Sequence, residues 1–115
     1  MTTSEIATVL AWHDALTAKD FDTLEQVSSD DIEFGDANGA GQGQAALREW
    51  AASLGVTAAD PGRLYVRDGV VVAEEQDGAA VAFRVVRDHV TSVFRHADLA
   101  SALAATELTE DDLTS

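Results

Sequence analysis

RLYVRDGVVVAEEQDGAAVAFRVVRDHVTSVFRHA, residues 63–97, is the stretch that decides the fold. Apolar and polar residues alternate through it in short runs, the period of pleated strands with one covered face. Arg63–Arg67, Val70–Gln76, Ala80–Arg87 and His89–Ala97 read as four strands. Asp68-Gly69 and Asp77-Gly78 are strong signals for two-residue hairpin turns, which need positive φ. Arg87-Asp88 is a weaker turn candidate before the last strand. Strands joined by such tight turns make an antiparallel meander.

Upstream of this meander the period changes to that of helices. Thr2 and Glu5 have capping-box spacing, and Ile6, Val9, Leu10, His13 and Leu16 recur at helical intervals, so a helix is expected over residues 4–18. Asp20 is positioned to cap a short second helix whose Phe21, Leu24 and Val27 share a face. Ser28-Ser29-Asp30-Asp31 breaks it, and Ile32-Glu33-Phe34 starts a strand. Gly39, Gly41 and Gly43 punctuate a loop. A third helix runs from Gln44 to Leu54, with Gly55 at the C-cap position, and Asp60-Pro61-Gly62 is a turn. Downstream of the meander Asp98 is positioned to cap a short helix over Leu99–Ala105. Thr109–Ser115, with three acids, reads as a disordered tail, leaving one domain over residues 1–108.

Helices followed by an antiparallel sheet define an α+β layer fold in which the helices pack on one face. The 115 residues are 46% apolar, enough for one core without staples, and cysteine is absent. A net charge of −14 with a single lysine, Lys19, excludes nucleic acid and anionic lipid as partners. No apolar run has the length of a membrane span, and the N-terminus carries no basic region of a signal peptide. The expected setting is cytoplasmic.

Three segments resemble a known superfamily. Ala18-Lys19-Asp20-Phe21-Asp22 with Asp30-Asp31-Ile32-Glu33-Phe34 resembles the opening of nuclear-transport-factor-2-like proteins. Ala45-Ala46-Leu47-Arg48-Glu49-Trp50 resembles the third helix of bacterial ketosteroid isomerases. Val93-Phe94-Arg95-His96-Ala97-Asp98-Leu99 resembles the closing strand of SnoaL-like proteins. The resemblance implies a cone-shaped, cystatin-like curved sheet with three helices on its concave face. It also implies an apolar pocket at the open end and a homodimer through the convex face. Val71, Ala73, Ala82 and Val86 are the residues expected to supply that convex face.

The fold hosts isomerases, cyclases, hydrolases and binding proteins, so activity has to be argued from residues. Asp36, in Phe34-Gly35-Asp36-Ala37-Asn38-Gly39, resembles the general base of the isomerases, which moves a proton beside a carbonyl; an Asp before Asn-Gly also simply makes a turn. The family's oxyanion tyrosine corresponds to Trp12 and its protonated aspartate to Val81, so both donors of the isomerase oxyanion hole are replaced. His13, on or beside the apolar face of the first helix, is a second catalytic candidate because its pKa is tunable. Trp12, Trp50, Val81 and Phe83 are candidate pocket walls, each equally readable as core.

Arg95 is a candidate ligand anchor if it points inward, where an acid such as Asp36 or Glu74 is its expected partner. The resemblance turns Val93, Arg95 and Ala97 inward; plain alternation allows Val90, Phe94 and His96 instead. His89 and His96, seven apart on one strand, are expected to face opposite ways. No metal site, dinucleotide fingerprint or nucleophile elbow is present, and no cofactor is expected. The expected function is a pocket for a small apolar carbonyl compound, with SnoaL-like or isomerase-like proton transfer as its catalytic version. A non-catalytic dimerisation or ligand-sensing module is the alternative.

Overall fold

Local chemistry sets where the elements start and stop in the computed structural model, which describes residues 2–36, 39–53, 62–75 and 78–113. Helix α1 (Thr2–Ala18) ends where Lys19 turns into the left-handed region, φ 59°. Asp20 then caps α2 (Phe21–Gln26), its carboxylate accepting from the Thr23 N–H and hydroxyl. Strand β1 covers Ser28–Asp36 and β2 covers Gly39–Gln42. The Ser28–Asp31 run expected as a break is therefore the start of β1, and the glycine-punctuated loop contains a strand. Helix α3 (Gln44–Ser53) follows. Gly55, Asp60-Pro61 and Gln76-Asp77 lie outside the described residues.

The meander consists of β3 (Leu64–Arg67), β4 (Val70–Glu74), β5 (Ala80–Val86) and β6 (His89–His96). Asp68 and Gly69 take φ of 52° and 83°, as a primed two-residue turn requires. Arg87 and Asp88 do the same at 51° and 65° without a glycine. The strand order is β2-β1-β6-β5-β4-β3, and among the described residues only the β1–β6 pair is parallel.

Register assigns the faces. Val71↔Phe83, Ala73↔Val81 and Phe83↔Val93 pair across the sheet, so these residues share one face. That face holds the main core with Ile32 and Phe34 of β1. The helices meet it with Val9, Trp12, Ala15 and Leu16 of α1, Leu24 of α2, and Leu47 and Ala51 of α3. Three helices thus cover the concave face as expected. The buried stripe of α1 runs through Trp12 and Ala15, and Leu10 is 36% exposed. Each large side chain fully buried here contributes about 1.5–3 kcal/mol of transfer free energy.

A bulge in β6 resolves the competing registers of the last strand. Arg84 pairs with Ser92, whereas Val85 pairs with Val90, leaving Thr91 as the extra residue. Val90 and Val93 therefore both enter the main core although they are three apart. The same insertion overturns the expectation for the histidines. His89 pairs with Val86 and His96 with Ala80, both on the convex face.

Helix α4 (Leu99–Thr106) packs on that convex face. Asp98 caps it by accepting from the Ser101 N–H at 2.7 Å. Its Ala102 is buried with Tyr65, Val72, Ala80 and Ala82, flanked by Leu99 and Leu103. This corrects the expected dimer patch. Val71 and Ala73 face the concave core, Ala82 lies in the cluster with α4, and Val86 alone stays open, at 49% exposure.

The segment from Thr109, expected to fray, forms a capped 3₁₀ turn over Glu110–Asp112. Thr109 and Asp112 make a reciprocal capping box. Arg67 pairs with Asp112 at 3.8 Å and donates to the Glu107 carbonyl, and Leu113 bridges to Tyr65 on the sheet edge. Among the described residues no helix is long and apolar enough to cross a membrane.

Candidate functional site

Trp12 is only 1% exposed, and its indole N–H donates to Ser28 Oγ at 2.9 Å. Ser28 in turn donates to the Leu24 carbonyl at 2.7 Å. The indole meets Phe83 edge-on, with ring centroids 5.5 Å apart. Trp12 and Phe83 are thus brought together as the floor of the concave core, with the polar atom of Trp12 engaged inside the protein. Ser28 is the partner that sequence reading did not find. A serine between a helix and a strand carries no signal that a distant indole will meet it.

His13 is 7% exposed, and its Nε2 lies 4.0 Å from Glu75 Oε2, just past the end of β4. The contact ties α1 to the β4 end of the sheet. Nearer β2, Trp50 of α3 is half-buried and packs on Phe34, with ring centroids 4.9 Å apart. Gly41 makes room for this pair: a Cβ there would stand 2.6 Å from Phe34 Cζ. The glycine that looked like loop punctuation is therefore a packing requirement.

Arg95 pairs directly with Val81, and so belongs to the concave side by register. It lies near the strand end beyond the buried Val93, and it is exposed. Parallel pairing joins Phe34 to Val93 and Gly35 to Phe94. Continuing that register by one residue sets position 36 of β1 beside Arg95. Asp36 ends β1 with its backbone paired to Gly39, and its side chain lies outside what is described. Val81, 7% exposed, closes the core beneath Arg95. Among the described residues no three His, Asp or Glu side chains gather at one point where a metal could be held.

Polar contacts fix this frame from outside. Gln44 Nε2 donates to the carbonyls of Glu25 and Ser28 at 3.1 and 3.2 Å, joining α3 to the α2–β1 junction. Arg48 bonds to Asp22 and Glu25, and these two hydrogen-bonded carboxylates, Asp22 first, hold its pKa above the ordinary value. On the convex face lies an open groove of about 670 Å³ bordered by Phe94, Arg84, His96 and the end of α4, and reached at its rim by Arg95. It had no counterpart in the sequence reading, because the sequence of α4, whose end walls the groove, does not choose a face of the sheet.

No family model matches the sequence, and no curated protein does. Solved structures resemble the fold closely. An NTF2-like protein from Burkholderia xenovorans superposes with a TM-score of 0.71 at 19% identity, over 90% of this chain and 96% of that one. A candidate ketosteroid isomerase from Kribbella flavida gives 0.68 at 14% identity, over 81% and 76%. TerC, co-crystallised with polyporic acid, gives 0.68 at 17% identity, over 91% and 97%.

Proposed function

We propose that this chain, which has the nuclear-transport-factor-2-like fold, binds a small apolar carbonyl compound at the open end of its cone. The observation that carries the reading is the register that sets Arg95 on the concave side, over Val81 and beside position 36. A guanidinium there offers paired donors to a carbonyl or carboxylate oxygen. Val81, with the Phe34–Trp50 pair, is the apolar wall proposed for the rest of the ligand. The structural neighbours support small-molecule binding as a use of this fold, TerC having been co-crystallised with polyporic acid.

In the catalytic version Asp36 takes a proton from the carbon beside the carbonyl while Arg95 stabilises the charge that develops on oxygen. His13, beside Glu75, is the second candidate for handling the proton. Trp12 supports the site from within the core and is no oxyanion donor, since its N–H already bonds to Ser28.

The test is titration of the intrinsic emission with a panel of polycyclic ketones, steroidal and polyketide-like. Trp50 reports, because Trp12 is sealed in the core. Saturable quenching that weakens in Arg95→Gln supports the proposal. A panel that leaves Trp50 unperturbed removes it and moves the non-catalytic module to the front.

A further inference from the structure

The convex groove has the make-up of a ligand site distinct from the cone mouth. Phe94 and Ala82 face each other across β6 and β5 and border the groove together. The ring of Phe94 reaches over β1 only because residue 35 is glycine: a Cβ there would lie 3.1 Å from Phe94 Cδ1. Ala105 of α4 adds apolar surface from the helix side. A volume of about 670 Å³ lies within the range of small-molecule sites, about 300–1,000 Å³.

The charges around it run against the rest of the molecule. The chain has seven Lys and Arg residues against twenty-one Asp and Glu. Arg48 and Arg67 are engaged by acids elsewhere. Arg84 borders the groove, paired across the strands with Ser92, and His96 lies on the same face. Among the described residues no acid or hydrogen-bond acceptor holds the Arg84 guanidinium; only its backbone carbonyl is engaged, by Thr91. Among the described residues a single acid, Glu107, borders the groove, from the end of α4. An aromatic floor, a serine hydroxyl and an unmatched guanidinium form a complete set of contacts for a planar anion.

We propose that the groove binds a small aromatic carboxylate. Its ring lies against Phe94, Ala82 and Ala105, and its carboxylate is received by Arg84 with Ser92 beside it. Arg95, the anchor proposed at the cone mouth, also borders the groove, but the contacts proposed here come from Arg84, Ser92 and Phe94, which by register lie on the opposite face of the sheet from Val81 and Phe83.

Calorimetric titration with 2-naphthoate and with its neutral counterpart 2-naphthamide tests the proposal, on wild type, Arg84→Gln and Ser92→Ala. Arg84 is exposed, so its variant keeps the fold, which a thermal melt verifies. One naphthoate per chain is expected, with the amide weaker by about tenfold or more, the worth of a charge-assisted hydrogen bond. Arg84→Gln is expected to lower naphthoate affinity to that of the amide, and Ser92→Ala to produce a smaller loss. Equal affinity for acid and amide, no saturable binding, or an undiminished affinity in Arg84→Gln overturns the proposal. So does a solution mass of two chains that falls to one in Phe94→Arg, which puts a second copy of the chain in the groove.

Discussion

Replacing Trp12 by phenylalanine separates a core tryptophan from a ligand-contacting one. The variant loses the hydrogen bond to Ser28, a buried side-chain pair, at a cost of about 1 kcal/mol. It also removes the second ring of an indole packed on Phe83, leaving space that costs a further 1–2 kcal/mol or about that. The sum, about 2–3 kcal/mol, lowers Tm by roughly 10 °C in a domain of this size. Ser28→Ala leaves the indole N–H without its acceptor and costs about 1–3 kcal/mol. The double variant is expected to lose less than the two single losses together, with a coupling of about 1 kcal/mol. Urea denaturation followed by far-ultraviolet circular dichroism measures all four proteins. Ligand affinity is expected to stay at the wild-type value in Trp12→Phe. Wild-type stability with no coupling to Ser28, together with a collapse of ligand binding, would refute the structural assignment of Trp12.

Two further outcomes follow from single contacts. Gly41→Ala drives a methyl into Phe34, which should cost about 1–3 kcal/mol and shift the emission of Trp50 as the ring pair separates; unchanged emission and an unchanged denaturation midpoint would contradict that packing. Asp98 has its pKa held below the ordinary carboxylate value, chiefly by the Ser101 N–H. A depressed folded-state pKa means the stabilisation is present above the unfolded value and is lost as pH falls through the folded one. Asp98→Ala should therefore lower Tm at neutral pH and converge with wild type on acidification below about pH 4, whereas a difference that persists in acid would show that the cap is not electrostatic.

The fold was largely legible because its signals are local. Helical spacing in α1, the Asp20 and Asp98 caps and the Asp68-Gly69 turn each act within a few residues, and the structure uses all of them. What escaped depends on distant partners. The Thr91 bulge reverses the facing of everything before it in β6, and nothing in Thr91-Ser92 distinguishes a bulge from regular strand. Helix α4 has leucines and alanines on several sides, so its sequence does not choose a face of the sheet. Strand β2 is Gly-Ala-Gly-Gln, residues with weak strand preference that pair only because β1 is alongside. The closing turn had a readable signal in Thr109 and Asp112 at capping-box spacing, masked by the acidity of the tail.

The candidate site was legible as a list of residues, not as an arrangement. Trp12, Phe83 and Val81 were named as wall or core, and all three side chains are buried. Trp50 stands half-buried on Phe34, a partner the sequence did not name. Arg95 had two possible faces, and only the pairing with Val81 selects one. His13 looked equally able to serve core or chemistry, and Glu75, its neighbour in the structure, lies sixty-two positions away in the chain.

The most direct test of the account is the affinity of one tight-binding polycyclic ketone for wild type and for Arg95→Gln, measured beside the same skeleton lacking its carbonyl. About a tenfold or greater loss is expected in the variant for the ketone, and no change for the carbonyl-free compound, because only the oxygen meets the guanidinium. Equal affinity of wild type and Arg95→Gln for the ketone would contradict it and remove Arg95 from the site.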